Sequence, residues 1–188
     1  MNQEKTQSEY ASAMAICRRM FERKMSDYGT SWRIMRPRSL TDQILIKARR
    51  IRQLEETGEA RVDEGIFPEF VAIVNYSIMA LIQLKLTPGD SLPPTEALRL
   101  YDEQAATARS LMFDKNHDYD EAWRVMRVSS FTDIILQKLC RTRELEDHDG
   151  HTCCSEGIDA NYLDIINYAL FAIIRLSEEA GTEGFQKA

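Results

Sequence analysis

The sequence predicts an all-α protein, a tandem repeat of two three-helix units packed as a pseudo-two-fold helical bundle. Three observations predict it. Two tryptophan-centred segments match in one register: Asp27-Tyr28 with Trp32-Arg33-Ile34-Met35-Arg36, and Asp118-Tyr119 with Trp123-Arg124-Val125-Met126-Arg127. Self-similarity at a fixed offset is the signature of a repeated unit. Apolar residues recur at helical spacing, as in Ala13, Ile16, Cys17 and Met20, and no segment alternates as a strand does. The clearest linker, Thr87-Pro88-Gly89-Asp90-Ser91-Leu92-Pro93-Pro94, falls between the two copies.

The match extends well beyond the tryptophans. Ser39-Leu40-Thr41-Asp42 pairs with Ser130-Phe131-Thr132-Asp133, and Lys47, Arg50, Arg52 and Glu55 pair with Lys138, Arg141, Arg143 and Glu146. After one extra residue in the second copy, Glu64-Gly65-Ile66 pairs with Glu156-Gly157-Ile158, and Asn75-Tyr76 with Asn167-Tyr168. Upstream, Tyr10, Arg18 and Lys24 pair with Tyr101, Arg109 and Lys115. The units are therefore residues 1–86 and 95–188, with 87–94 as the connection. A duplicated unit packs most simply as a homodimer would.

Each copy reads as three helices. The first runs from about Tyr10 to Met25, and again from Thr95 to Asp114, each followed by a turn at Asp27-Tyr28-Gly29 or Asp118-Tyr119-Asp120. Ser39 and Ser130 are the expected N-caps of the second helices, with Asp42 and Asp133 three residues on near the positive helix end. Gly58 and Gly150 are the expected stops. The third helices are expected to start near Glu64 and Ser155, with Pro68 in the early turns.

Composition bounds the function. The 188 residues carry 44% hydrophobic and 29% charged residues, ordinary for a soluble globular protein. A formal net charge of −6 argues against general nucleic-acid binding while leaving room for a local basic pocket. The apolar runs Phe70–Leu86 and Tyr162–Leu176 are interrupted by polar residues and short for a bilayer, so buried helices and no membrane span are expected. The N-terminal segment has no basic stretch leading into an apolar one, so no signal peptide is expected. Cys17, Cys140, Cys153 and Cys154 suggest no disulfide framework, which makes the cytoplasm the expected compartment.

The polar residues kept by both copies are the candidate chemistry. Arg33, Arg36, Lys47 and Arg50, with Arg124, Arg127, Lys138 and Arg141, form a basic set suited to phosphate or another anion. The alternative is that they pair with acids to fix the bundle. Glu156, Asp159 and Asp164 recur on one side of the last helix. Oxygen ligands so arranged suit magnesium held with waters and a substrate phosphate, or else simply complement a helix dipole. The first copy has Ala72 where the second has Asp164, so a metal site and any chemistry are expected to lean on the second copy. Trp32, Trp123, Tyr28 and Tyr119 are candidates to stack on a base, with core packing as the alternative for the tryptophans. His148, His151, Cys153 and Cys154 crowd one loop without a standard zinc spacing. His117 is expected to be a surface turn residue. Glu55-Glu56-Thr57-Gly58-Glu59 resembles the magnesium motif of MazG-type pyrophosphohydrolases, but Gly58 interrupts it at a helix end.

In order, these motifs resemble nucleotide modification associated domain 1, a family formerly listed as a domain of unknown function. The matching residues are Lys24, Asp27-Tyr28-Gly29, Lys47, Arg50, Glu64 and Asn75-Tyr76, then Lys115, Asp118-Tyr119, Lys138, Arg141, Glu156, Asp164 and Asn167-Tyr168. The resemblance covers most of the chain, twice. It implies a link to modified nucleotides or nucleotide metabolism, without a reaction that can be carried over. A more distant likeness to MazG-type all-α NTP pyrophosphohydrolases implies magnesium-dependent hydrolysis of a nucleotide phosphate. The expected partner is thus a nucleotide or another anionic small molecule, with a homo-oligomer as a further expectation. The other reading is a non-catalytic nucleotide sensor or a helical interaction protein.

Overall fold

The computed structural model describes residues 2–58, 65–149 and 156–181. They form six α-helices: α1 (Asn2–Tyr28), α2 (Pro37–Thr57), α3 (Phe67–Leu86), α4 (Pro94–Tyr119), α5 (Val128–Asp147) and α6 (Ile158–Ala180). A 3-10 turn precedes α2 (Ser31–Ile34) and another precedes α5 (Ala122–Val125). No strand occurs among the described residues. The all-helical expectation holds. Glu59, Glu64, Gly150, His151, Cys153, Cys154 and Ser155, named above, lie outside the described residues.

The expected N-caps are displaced. The helices begin at Pro37 and Val128, capped by the extended Arg36 and Arg127, and no side chain closes either end. Proline at the first helical position explains the shift in α2. It has no N–H to satisfy, its φ is preset for the helix, and it holds the residue before it extended. Ser39 accordingly sits inside the first turn, its N–H donated to Arg36 O. Gly58 does end α2 in the left-handed conformation, at φ 67°. The first helices run longer than expected, through Tyr28 and Tyr119, and close on Gly29 (φ 63°) and Asp120 (φ 47°). Glycine and aspartate both tolerate that conformation, so the differing residues serve one turn. The third helices start at Phe67 and Ile158, slightly later than expected.

α3 and α6 lie at the centre against each other; α2 packs on α3, α5 on α6, and α2 on α5, while α1 and α4 each touch both central helices. This explains why α3 and α6 are apolar nearly all round. α3 is long and apolar enough to span a bilayer by length and composition, but two thirds of that stretch is buried inside the bundle.

Two sets of buried polar bonds tie the halves together. Tyr10 Oη on α1 donates to Asn167 Oδ1 on α6 at 2.8 Å, and Tyr101 Oη on α4 donates to Asn75 Oδ1 on α3 at 2.8 Å. Each asparagine also donates to the first helix of its own half, Asn75 to Cys17 O at 3.0 Å and Asn167 to Ala108 O at 3.1 Å. Along the α2–α5 seam, Thr41 donates to Glu146 at 2.6 Å and Thr132 donates to Glu55 at 2.9 Å. Arg52 reaches Asp133 at 3.0 Å at the exposed edge of the same seam. Each of these bonds has a counterpart at the repeat-related residues, that of Arg52 and Asp133 being Arg143 and Asp42 at 4.0 Å.

Removing either tyrosine hydroxyl leaves an asparagine oxygen buried and short of a donor. Tyr10→Phe and Tyr101→Phe should each cost about 1–2 kcal/mol in urea denaturation. Burial raises the Glu146 carboxyl above the usual 4.5, against the bonds from Thr41 and Tyr162 that lower it. A carboxyl raised in the folded state penalises folding once pH climbs above the unfolded value, and that penalty vanishes below about 4.5. Glu146→Gln, which keeps an acceptor for Thr41, should be more stable than the wild type at pH 7 and lose that advantage by pH 4. Denaturation from pH 4 to 7 should then be flatter for the variant than for the wild type.

Candidate functional site

A cavity lies in the first half, between α1, the 3-10 turn at Trp32, the middle of α2 and the start of α3. It has a volume of about 770 Å³, within the range of small-molecule sites. Its walls are aromatic and sulfur-bearing: Tyr28, Trp32, Phe67 and Tyr76, with Met20, Met35 and Met79. Its cations are Arg19, Arg23 and Lys24 on α1 and Lys47 on α2; Glu69 is the one carboxylate among its described lining residues. The cavity exists because α3 presents Ala72 and Met79 toward α1, a small and a flexible side chain where larger ones would close the gap.

Glu69 is almost fully buried. Lys47 approaches its Oε2 at 3.2 Å, and Arg50 donates to its Oε1. These two predicted anion-binding residues are thus partly engaged by an internal acid that the repeat comparison marks as peculiar to the first copy, the second having Asn161 at that position. Arg19, Arg23 and Lys24 make no ion pair among the described residues. Lys24 was named from sequence as a residue that both copies keep; Arg19 and Arg23 were not, although their place on one face of α1 could be read from the helical spacing.

In the second half the corresponding space is filled. Phe171, at the place of Met79, stacks on Trp123 with ring centroids 4.4 Å apart and planes 2° apart. Tyr168 meets Phe171 edge-on at 6.2 Å. In the first half the ring beside the tryptophan is instead Phe21 on α1, tilted at 6.2 Å, and its second-half counterpart is the buried Met112. The aromatic and the methionine have exchanged helices. Asp164, at the place of Ala72, accepts from Lys138 at 2.6 Å and from Lys115. Burial lowers the Lys115 ammonium pKa, but contact with Asp164 and the nearby charge of Glu156 outweigh it, and the net shift is upward.

The other predicted residues divide clearly. Arg33 is buried and donates to Gln83 and to Thr87 O at 2.9 Å, while Gly89 N–H donates to Arg33 O at 2.9 Å. It clasps the connection between the halves. Arg124 bonds Glu9 and Glu121 at 2.7 Å each and lies 4.4 Å from the centre of the Trp123 ring. Both arginines hold the tryptophan turns, Arg124 through two acids and Arg33 through an amide and a backbone carbonyl. Arg36 and Arg127 are exposed, and Arg141 is half-buried. Trp32 and Trp123 are buried at 8% and 4% exposure, whereas Tyr28 and Tyr119 are exposed at 58% and 71%. Trp32 and Tyr28 nevertheless line the cavity. Glu156 and Asp159 are exposed while Asp164 is buried, so the three predicted metal ligands do not share one surface. Among the described residues no three histidine, cysteine, aspartate or glutamate side chains converge. His117 and His148 are exposed.

The two ion clusters differ in burial, and that difference is measurable. Lys138 is 14% exposed and Lys47 is 30% exposed. Lys138→Met strips a buried carboxylate of one of two partners and should cost about 2–4 kcal/mol. Lys47→Met, better screened and backed by Arg50, should cost less than half as much. Chemical denaturation of both variants checks the order.

The comparisons with known proteins agree with the repeat. The profile of nucleotide modification associated domain 1 matches residues 24–84 and again residues 115–176. No curated protein and no solved structure matches the chain. The two matched segments begin at Lys24 and Lys115, span the tryptophan turns and the second helices, and end within the central helices. With well over half of its length matched, the chain belongs to the nucleotide modification associated domain 1 family, and carries that domain twice.

Proposed function

We propose that the chain binds a small anionic ligand with a flat ring, of the nucleotide class, in the first-half cavity. One observation carries this reading. A cavity of about 770 Å³ with aromatic and methionine walls is bordered by Arg19, Arg23 and Lys24, cations with no ion pair among the described residues. Apolar walls favour a ring, and unpaired cations at their border favour phosphate oxygens. The family's description, which concerns nucleotide modification, supports the same ligand class.

The site favours binding over hydrolysis. A hydrolase needs a carboxylate or imidazole able to take a proton from water, and the one described acid in the lining, Glu69, is already held between Lys47 and Arg50. Those same cations make Glu69 a poor magnesium ligand. Magnesium is better accommodated on the phosphates of the ligand, where it keeps most of its waters.

A thermal-shift panel of ribo- and deoxyribonucleoside mono- and triphosphates, with and without magnesium, tests the proposal. At a hundredfold excess over Kd, a binding member should stabilise by about 2.7 kcal/mol, a rise in Tm of roughly 5–10 °C. No phosphate or pyrophosphate release should accompany it. Met79→Phe, which copies the filled second half, should fold normally and lose most of that shift. A panel without any shift, or a shift unchanged in Met79→Phe, would refute the proposal.

A further inference from the structure

In the second half, three helices meet on one ionic group. Lys115 from α4 and Lys138 from α5 converge on the two oxygens of Asp164 from α6. Asp164 is 4% exposed, so its charge is satisfied by these two ammonium groups rather than by water. The repeat places Lys24, Lys47 and Ala72 at the matching positions of the first half, and all three line the cavity. The lysines are retained while the carboxylate they would share is absent.

Glu69 does not replace it. It lies one helical turn earlier on α3 and takes Lys47 and Arg50, leaving Lys24 without an ion pair among the described residues. The surroundings have also changed sign: Arg19 and Arg23 border the first site, whereas Ser110 and Asp114 stand at those places in the second copy.

We infer that an oxyanion of the ligand is seated between Lys24 and Lys47, at the position the second half fills with its own Asp164. The chain therefore has one open seat and one that is internally occupied. The seat takes a doubly charged terminal group, the end phosphate of a nucleotide or a free phosphate or pyrophosphate, because two ammonium groups and the nearby arginines exceed the single charge of Glu69. This inference rests on reading the cavity as a ligand site, and adds to it where the anion lies and how many ligands bind.

Isothermal titration of the full-length chain with inorganic pyrophosphate, ATP and adenosine tests the seat. One pyrophosphate should bind per chain. Ala72→Asp, which installs the internal carboxylate, should weaken pyrophosphate by about tenfold or more, while the shape-matched Ala72→Asn should change it far less. Lys24→Met should weaken it similarly; Lys24 is exposed, so this variant tests the seat even where Ala72→Asp does not fold. Equal affinities for Ala72→Asp and Ala72→Asn, or an unaffected Lys24→Met, would overturn the inference. Adenosine binding as tightly as ATP, with no pyrophosphate bound, would remove the seat and leave the ring-binding cavity. Pyrophosphate binding that Ala72→Asp abolishes, with ATP no tighter than pyrophosphate, would keep the seat and remove the nucleotide reading.

Discussion

The structure depends on a polar bond between halves that is buried in an apolar centre. Tyr10 reaches across to Asn167, and Tyr101 reaches across to Asn75. Apolar packing alone tolerates sliding of one helix along another, because one leucine contact resembles the next. A buried asparagine oxygen accepts only one arrangement at low cost, since losing its donor leaves it desolvated without recompense. Each asparagine also bonds the first helix of its own half. One residue therefore sets the height of three helices: its own, the first helix of its half and the first helix of the other.

That constraint holds α1 over α3, and the gap between them is the first-half cavity. On one scaffold, a few exchanged side chains make two different interiors. Phe171 in place of Met79, and Asp164 in place of Ala72, fill the second half with a stacked ring and an ion cluster. The first half keeps the lysines and tryptophan without those fillers. The tryptophan turns are secured differently as well. The linker clasps the first through Arg33, Gly89 and a Thr30–Leu92 bond pair, while the N-terminal part of α1 clasps the second through Thr6 and Glu9 on Arg124. Each anchoring segment precedes or begins a first helix, so the same space is closed by chain from the other half.

Arg33 and Arg124 show why retained charge is a weak guide to function. Both copies keep them because both copies must hold a turn that carries a buried indole, and the guanidinium supplies several donors in a rigid fork for that task. Lys24 and Lys47 are equally retained, and only their surroundings distinguish them. A retained residue reports a shared requirement, and the requirement common to both halves is the scaffold. The candidate site lies where the copies differ.

The repeat, the helical class, the linker and the helix stop at Gly58 were legible in the sequence because they rest on local rules: self-match, apolar spacing, and the backbone freedom of glycine. The N-cap of α2 was misplaced through an equally local rule, the pull of Pro37 toward the first helical position; α5 shows the same displacement with Val128 in that place. The 3-10 turns around both tryptophans were missed because a four-residue turn leaves no periodicity to detect. By itself, the sequence determined which residues the copies share and which side chains each helix offers. Only tertiary structure decided that Asp164 is spent on two lysines, that Phe171 covers Trp123, and that the open space belongs to the first half. Those outcomes depend on distances between helices that are far apart in the chain, and no spacing along one helix records whether the volume facing it is filled.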